Sequence, residues 1–180
     1  MIIRDDSGDE LVLIRQTDHS QLVGKFAAHW GNENFARPEP YESVVRAAVY
    51  HDYGYLRFET SPCLDTEKGT PYEFRTLPYE PKQFESYQWC IDWLSDIDPY
   101  SGLLVSMHRT GLWKGRYEKI AHPAGRYNPQ GLRSEIVEFV ERHEAKQQEQ
   151  QESVDKQGLW TNYQLLQVWD LLSGALRRAH

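Results

Sequence analysis

Apolar positions along the chain follow two periods, one typical of strands and one typical of helices. Two short apolar runs, 1–4 and 11–15, flank the turn-forming residues DSGD at 6–9, which predicts a β-hairpin. After Gln16 the apolar positions recur at intervals of three and four, as in a helix that buries one face: Leu22, Val23, Phe26, Ala27 and Trp30. The pattern predicts a mostly α single domain over 1–180, with a β element over 1–16 and helices over 17–180.

The same spacing predicts five further helices. Asp18 is expected to cap the first helix, and Gly54 is expected to end a second helix that begins near Tyr41. The later helices are predicted at 83–95, after Pro99, from 132 to beyond 144, and at 159–178. Residues 57–82 are predicted to form a long ordered loop with room for one short helix. The Glu- and Gln-rich stretch after 144 is predicted to be a solvated helix end or a linker.

Composition and charge narrow the class of protein. The chain is 39% hydrophobic and carries a net charge of −7, which argues against a protein that binds nucleic-acid polymers through their backbone. Cys63 and Cys90 form no CxxC pair, so we expect neither a disulfide nor a zinc–thiolate site. The acidic start lacks the apolar core of a signal peptide, and no apolar run reaches the roughly 18 residues that cross a bilayer. We therefore expect a cytoplasmic protein that acts away from membranes.

Four titratable residues interrupt the apolar faces of the predicted helices. His19 lies on the face that carries Val23, His51 and Asp52 continue the apolar stripe of the second helix, and Asp170 is on the inner face of the last helix. Burying such side chains costs free energy unless a partner compensates them. Imidazole nitrogens and carboxylate oxygens bind iron, manganese, zinc or magnesium. Each residue alone fits a satisfied core position or an ion pair, but the set of four favours a divalent-metal site.

The order of these residues resembles the HD superfamily of metal-dependent phosphohydrolases, which carries His, then His-Asp, then Asp. The matching stretches are QTDHSQLVGKFAAHWG, AAVYHDYGYL and LLQVWDLLSGAL. The N-terminal strands, the tryptophan-bearing first helix and QVWDLLS also resemble an uncharacterised bacterial HD-like family. The resemblance implies an HD-like helical bundle in which His19, His51, Asp52 and Asp170 bind one divalent ion. It further implies that a metal-activated water attacks a small phosphorylated or nucleotide substrate.

Within that scheme two residues are assigned catalytic roles. Asp52 is expected to bind the ion and orient the water, and His108 to serve as a second-metal ligand or as general acid to the leaving oxygen. Tyr55 stands where many HD hydrolases carry lysine, and it offers a hydrogen bond without a positive charge. Three further histidines are weaker candidates, the last of them expected to be solvated: His29, His122 and His143.

A basic run follows His108. Between this residue and Arg126 there are five Lys or Arg residues and one acid, Glu118. Together with interleaved aromatic residues, this run predicts one wall of a substrate pocket, with a solvated basic loop as the alternative. The expected substrate-binding residues are Arg109, Lys114, Arg116 and Tyr55.

Two other functions are compatible with the same residues. Some HD-like folds hold a di-iron centre that oxidises small molecules, which requires about six His or carboxylate ligands. A non-catalytic ligand-binding domain can keep the same framework with or without metal. The sequence leaves the substrate, the metal and the oligomeric state open.

Overall fold

Helices form most of the protein, with two small hairpins attached. The computed structural model describes residues 1–5, 10–74, 76–78, 80–115 and 132–176. A one-turn 3₁₀ helix at Tyr53–Tyr55 joins α2 to α3. The other elements are β1 Ile2–Asp5, β2 Leu11–Ile14, α1 Gln16–Ala28, α2 Tyr41–Tyr50, α3 Leu56–Glu59, β3 Leu64–Asp65, β4 Thr70–Pro71, α4 Pro81–Ile97, α5 Pro99–Trp113, α6 Ser134–Gln151 and α7 Lys156–Leu176. The predicted mostly α fold with an N-terminal hairpin is confirmed.

Helix α5 is the centre of the bundle. Every residue from 101 to 111 is buried, and the helix packs against α2, α4, α6 and α7. Apart from His108 and Arg109, its buried residues are apolar or small, as expected for a helix that is surrounded by others. Helix α1 packs against α2 and α7 on the other side of this core. The inner faces of α1, α2, α5 and α7 therefore meet.

The start of α1 is fixed by a residue that is distant in sequence. The buried carboxylate of Glu59 accepts hydrogen bonds from the backbone N–H groups of Gln16, at 2.5 Å, and Thr17, at 3.3 Å. The predicted cap, Asp18, is exposed and instead pairs with the Arg15 guanidinium at 2.9 Å. The prediction of an Asp18 cap is wrong, because a tertiary carboxylate occupies the positive end of the helix.

The glycine of the HDYG stretch does not end a helix by a left-handed turn. Gly54 lies within the 3₁₀ helix, and a Cβ atom there would lie 2.7 Å from Cδ1 of Tyr87 on α4. The Gly54 carbonyl also accepts a hydrogen bond from Ser86 Oγ at 2.7 Å. Glycine is required here by the close approach of α4, which holds the 3₁₀ helix and the adjoining residues 51 and 52 against the core.

One predicted irregular region is more regular than expected, and the other agrees with its prediction. Residues 57–82 contain most of α3 and the two-residue antiparallel pair β3–β4, so the predicted all-helical range 17–180 omits a small hairpin. Helix α6 continues to Gln151, and its residues after 143 are exposed or half-buried apart from Gln147, which agrees with the predicted solvated helix end. Cys63 and Cys90 are free thiols, as predicted. None of the helices in the described part of the chain combines the length and apolarity needed to cross a membrane.

Candidate metal centre

His19 connects α1 to α7. It is 4% exposed, and its Nε2 atom lies 2.9 Å from Oδ1 of Asp170. Its Nδ1 atom lies 2.8 Å from Oγ of Ser173, one turn further along α7. Two contacts therefore orient the ring, and the contact through Nε2 brings a carboxylate to the edge of the site.

The backbone sets the tautomer of His51. Its Nδ1 atom lies 2.8 Å from the carbonyl oxygen of Ala48, which only accepts, so Nδ1–H donates and Nε2 of the neutral ring carries a lone pair. Nε2 is 3.6 Å from Oδ2 of Asp52 and 3.9 Å from Oδ1 of Asp170. This atom is buried and has no hydrogen-bond partner among the described residues. A buried lone pair without a donor is what a metal ligand requires.

Asp52 closes the group from the side of α2. Its Oδ2 atom lies 3.9 Å from Nε2 of His19 and accepts a hydrogen bond from Nε2 of Gln16 at 3.2 Å. The Gln16 amide oxygen is buried without a hydrogen-bond partner in the described part of the chain. The sequence offered no signal for Gln16, because its partner Asp52 is 36 residues away. Ser173 was detectable, since it lies three residues after Asp170 on the same face.

Three of these residues bring donor atoms close enough together to hold a metal ion. Suitable atoms of His19, His51 and Asp52 all lie within 4.8 Å of one another, and Asp170 adjoins them. Nitrogen and oxygen ligands bind roughly 2.0–2.2 Å from zinc, so neighbouring donors around one ion lie roughly 3–4 Å apart. Four distances, 2.9, 3.6, 3.9 and 3.9 Å, agree with that range, and Asp170 contacts both imidazoles without belonging to the group of three whose donor atoms all lie within 4.8 Å of one another. The buried group can therefore hold a metal ion, whose charge two carboxylates would balance.

His108 contacts this group through an imidazole ring. It is 2% exposed on α5, and its ring centroid lies 4.8 Å from that of His51 in an edge-to-face arrangement. The rings of His51 and His19 are 5.3 Å apart. His108 is not among the three residues whose donor atoms lie within 4.8 Å of one another. The structure thus places His108 beside the candidate ligands, with its ring against that of His51.

Two of the predicted substrate-binding residues lie beside the candidate ligands, and a third lies against α6. Arg109 and Tyr55 line a small cavity together with His51 and Asp52. Lys114 is half-buried, and its Nζ atom lies 3.1 Å from the carboxylate of Glu144 on α6. The remaining candidate of this group, Arg116, and the weaker metal candidate His122 lie outside the described residues.

The other two described histidines lie apart from the candidate ligands. His29 is exposed at the end of α1, with Nδ1 2.9 Å from the carbonyl oxygen of Lys25. His143 is 1% exposed, so its predicted solvation is wrong. Burial, together with the nearby charges of Arg142 and Lys146, lowers the pKa of His143 to about 4. A neutral imidazole is therefore built into the core between α4, α5 and α6.

Comparison with known proteins gives a family and no activity. Residues 1–179 match the family described as "Protein of unknown function (DUF3891)", and the chain belongs to that family. No curated protein and no solved structure matches it.

Proposed function

We propose that this member of the DUF3891 family is a metal-dependent phosphohydrolase of the HD type that acts on a small phosphorylated or nucleotide substrate. One observation carries the proposal: two imidazoles and two carboxylates from α1, α7 and the end of α2 converge, and the inward-facing His51 Nε2 lacks a hydrogen-bond partner among the described residues. The order of the four residues along the chain, which resembles the HD superfamily, supplies the reaction type.

The chain's own residues prepare this site for a cation. Ala48 O and Ser173 Oγ bind the Nδ1 atoms of His51 and His19, which turns both Nε2 atoms toward the carboxylates. Gln16 holds the Asp52 carboxylate from behind. A divalent ion bound there would lower the pKa of a coordinated water and stabilise charge on phosphoryl oxygens. The ligand set accommodates manganese, iron, zinc or magnesium.

Two residues are proposed to orient the attacking water and to donate a proton to the leaving oxygen. Asp52 orients the attacking water as well as binding the ion, since its Oδ2 atom faces both imidazoles. His108 protonates the leaving oxygen, a role supported by its burial against His51. We place the reaction in the cytoplasm on a small-molecule substrate, which the free thiols of Cys63 and Cys90 support.

Metal quantification tests the proposal. Protein purified without chelators is expected to hold one equivalent of a divalent ion. After stripping, Mn²⁺ is expected to bind ~100-fold or more weakly to His51→Ala and Asp170→Ala, because ligands matter at least as much as the residues that orient them. His29→Ala is the matched control, since it removes an exposed imidazole from α1, and it should bind Mn²⁺ as the parent does.

The outcomes separate the candidate functions. Unchanged Mn²⁺ affinity in both ligand variants would contradict the four-residue site. Hydrolysis of phosphomonoesters or nucleotides by the Mn²⁺, Fe²⁺ or Mg²⁺ form, abolished by Asp52→Asn, would support the hydrolase. Two irons per chain would favour a di-iron oxygenase instead, with His108 as a candidate additional ligand. A chain that binds no metal would favour a ligand-binding domain without catalysis.

A further inference from the structure

Arg109 is a buried cation that lies among aromatic side chains. The residue is 7% exposed on α5, and no carboxylate of the described residues forms an ion pair with it. Its Nη1 atom donates to the Tyr55 hydroxyl at 3.3 Å, whereas its Nε atom is buried without a hydrogen-bond partner in the described structure. A guanidinium group stays charged in proteins, and burying it unpaired costs several kcal/mol. Something further must therefore compensate this charge.

The side chains around Arg109 stabilise its charge without neutralising it. The guanidinium carbon lies 3.6 Å from the ring centroid of Tyr87 and 4.2 Å from that of Trp113, so two aromatic faces fix its plane. Burial raises the pKa of Tyr87 well above its ordinary range, so this residue is a neutral phenol. The arrangement leaves the positive charge of Arg109 in place and holds the N–H groups of its guanidinium in one orientation.

The position of Arg109 shows what this charge faces. Arg109, His51 and Asp52 line one cavity of about 10 Å³, with room for about one water molecule. If Asp52 and Asp170 balance a divalent ion, the Arg109 charge is in excess, and the whole buried site is cationic. An anion that places one oxygen in this cavity would satisfy the free Nε–H and restore neutrality.

We infer that Arg109 is the anion receptor of this site and binds one oxygen of a phosphoryl group held beside His51 and Asp52. The inference rests on the proposed function for the identity of the anion, while the receptor itself follows from the burial of Arg109 and from its Nε–H, which has no hydrogen-bond partner among the described residues. Guanidinium groups suit phosphate because their parallel N–H donors match its oxygens. Tyr55 brings no positive charge to the cavity, and the cation that donates to its hydroxyl comes from α5.

Inorganic phosphate is the probe, titrated by calorimetry into the full chain at constant ionic strength, both stripped of metal and loaded with Mn²⁺. We expect saturable phosphate binding by the parent and affinity about tenfold or more lower in Arg109→Gln, the loss of a charge-assisted hydrogen bond. Arg57→Gln is the control, because Arg57 is an exposed arginine that packs over the ring of Trp89, and it should match the parent. Circular dichroism confirms the fold of each variant.

A second measurement needs only the folded parent. The ¹⁵N–¹H resonance of Arg109 Nε, assigned by its disappearance in Arg109→Lys or Arg109→Gln, should shift saturably as phosphate is added. Absence of phosphate binding by the parent, a static Arg109 resonance, or parent-like affinity in folded Arg109→Gln would overturn the inference. Arg109-dependent phosphate binding by a chain that binds no metal would refute the hydrolase and retain the receptor. Metal binding without phosphate binding would refute the Arg109 receptor and leave the metal site of the proposed hydrolase in place.

Discussion

In the described part of the core, two clusters of buried polar side chains contain histidine. They differ in how many of their polar atoms have hydrogen-bond partners. In the candidate metal centre, His51 Nε2 and Gln16 Oε1 have no hydrogen-bond partner among the described residues, and two carboxylates adjoin the imidazoles. In the second cluster, hydroxyl and amide groups surround one imidazole. We call it the His143 network: Gln88, Ser106, Thr110, His143 and Gln147.

The His143 network uses both ring nitrogens. Nε2 lies 2.9 Å from the Gln88 amide oxygen, which only accepts, so Nε2–H donates and Nδ1 accepts from the Ser106 hydroxyl at 3.2 Å. Gln147 donates to the same hydroxyl oxygen at 2.8 Å. No lone pair of His143 remains for a metal. Burial alone therefore does not identify a functional histidine; nearby carboxylates and an unused nitrogen do.

The largest expected effect that separates the two clusters comes from His143→Ala. This change removes a hydrogen-bond partner of Ser106 Oγ and of the Gln88 amide oxygen. It also opens a cavity beside Phe139, whose ring lies 4.2 Å from that of His143. We expect the free energy of unfolding in urea to fall by about 3 kcal/mol, with Mn²⁺ affinity unchanged. Gln148→Ala, on the exposed face of α6, should change the free energy of unfolding by less than about 0.5 kcal/mol. Loss of Mn²⁺ affinity in folded His143→Ala would contradict the view that the His143 network has no part in metal binding.

A smaller effect is expected from pH. The folded-state pKa of His143 is about 4, below the ordinary 6.5, because burial and the charges of Arg142 and Lys146 outweigh the opposing Asp92. The unfolded chain therefore binds a proton that the folded chain excludes, so stability is full above pH 6.5 and falls as pH drops toward 4. We expect His143 to account for about 2.5 kcal/mol of the loss between pH 6.5 and pH 4.

The same experiment on His143→Gln isolates the contribution. The difference in free energy of unfolding between parent and variant should narrow as pH falls from 6.5 to 4. Only the parent loses the stability that comes from the lowered pKa of His143. Measurements on metal-free protein keep the candidate metal centre from contributing through metal release. A difference that stays constant across this range would show that His143 titrates normally in the folded protein.

The smallest expected effect is Ser173→Ala. The change removes the oxygen that lies 2.8 Å from Nδ1 of His19 and so loosens the orientation of that ring. We expect Mn²⁺ affinity to fall about tenfold, the usual scale for a residue that orients a ligand. Thr161→Ala, on the exposed side of the same helix, is the control and should leave the affinity unchanged. Unchanged affinity in Ser173→Ala would mean that α1 packing alone orients His19.

Helical periodicity was a good guide to the fold and a partial guide to the site. It predicted the inward faces of His19, His51 and His108, and the structure brings the first two together with Asp52 and Asp170. It failed for the Asp18 cap and for His143, which was expected to be solvated and is buried. In both places distant polar groups supply the partners, and spacing within one helix carries no information about them.

The sequence by itself determined the helices and the faces on which the four candidate ligands lie, because both follow from local spacing along the chain. The tertiary structure alone decided which polar residues have partners. Glu59 reaches the start of α1, and Gln88 and Ser106 occupy both ring nitrogens of His143. Arg109 lies beside His51 with its Nε atom unpartnered among the described residues. Hydrogen bonds and charges act through space over a few ångströms, so elements far apart in sequence must be packed before these differences exist.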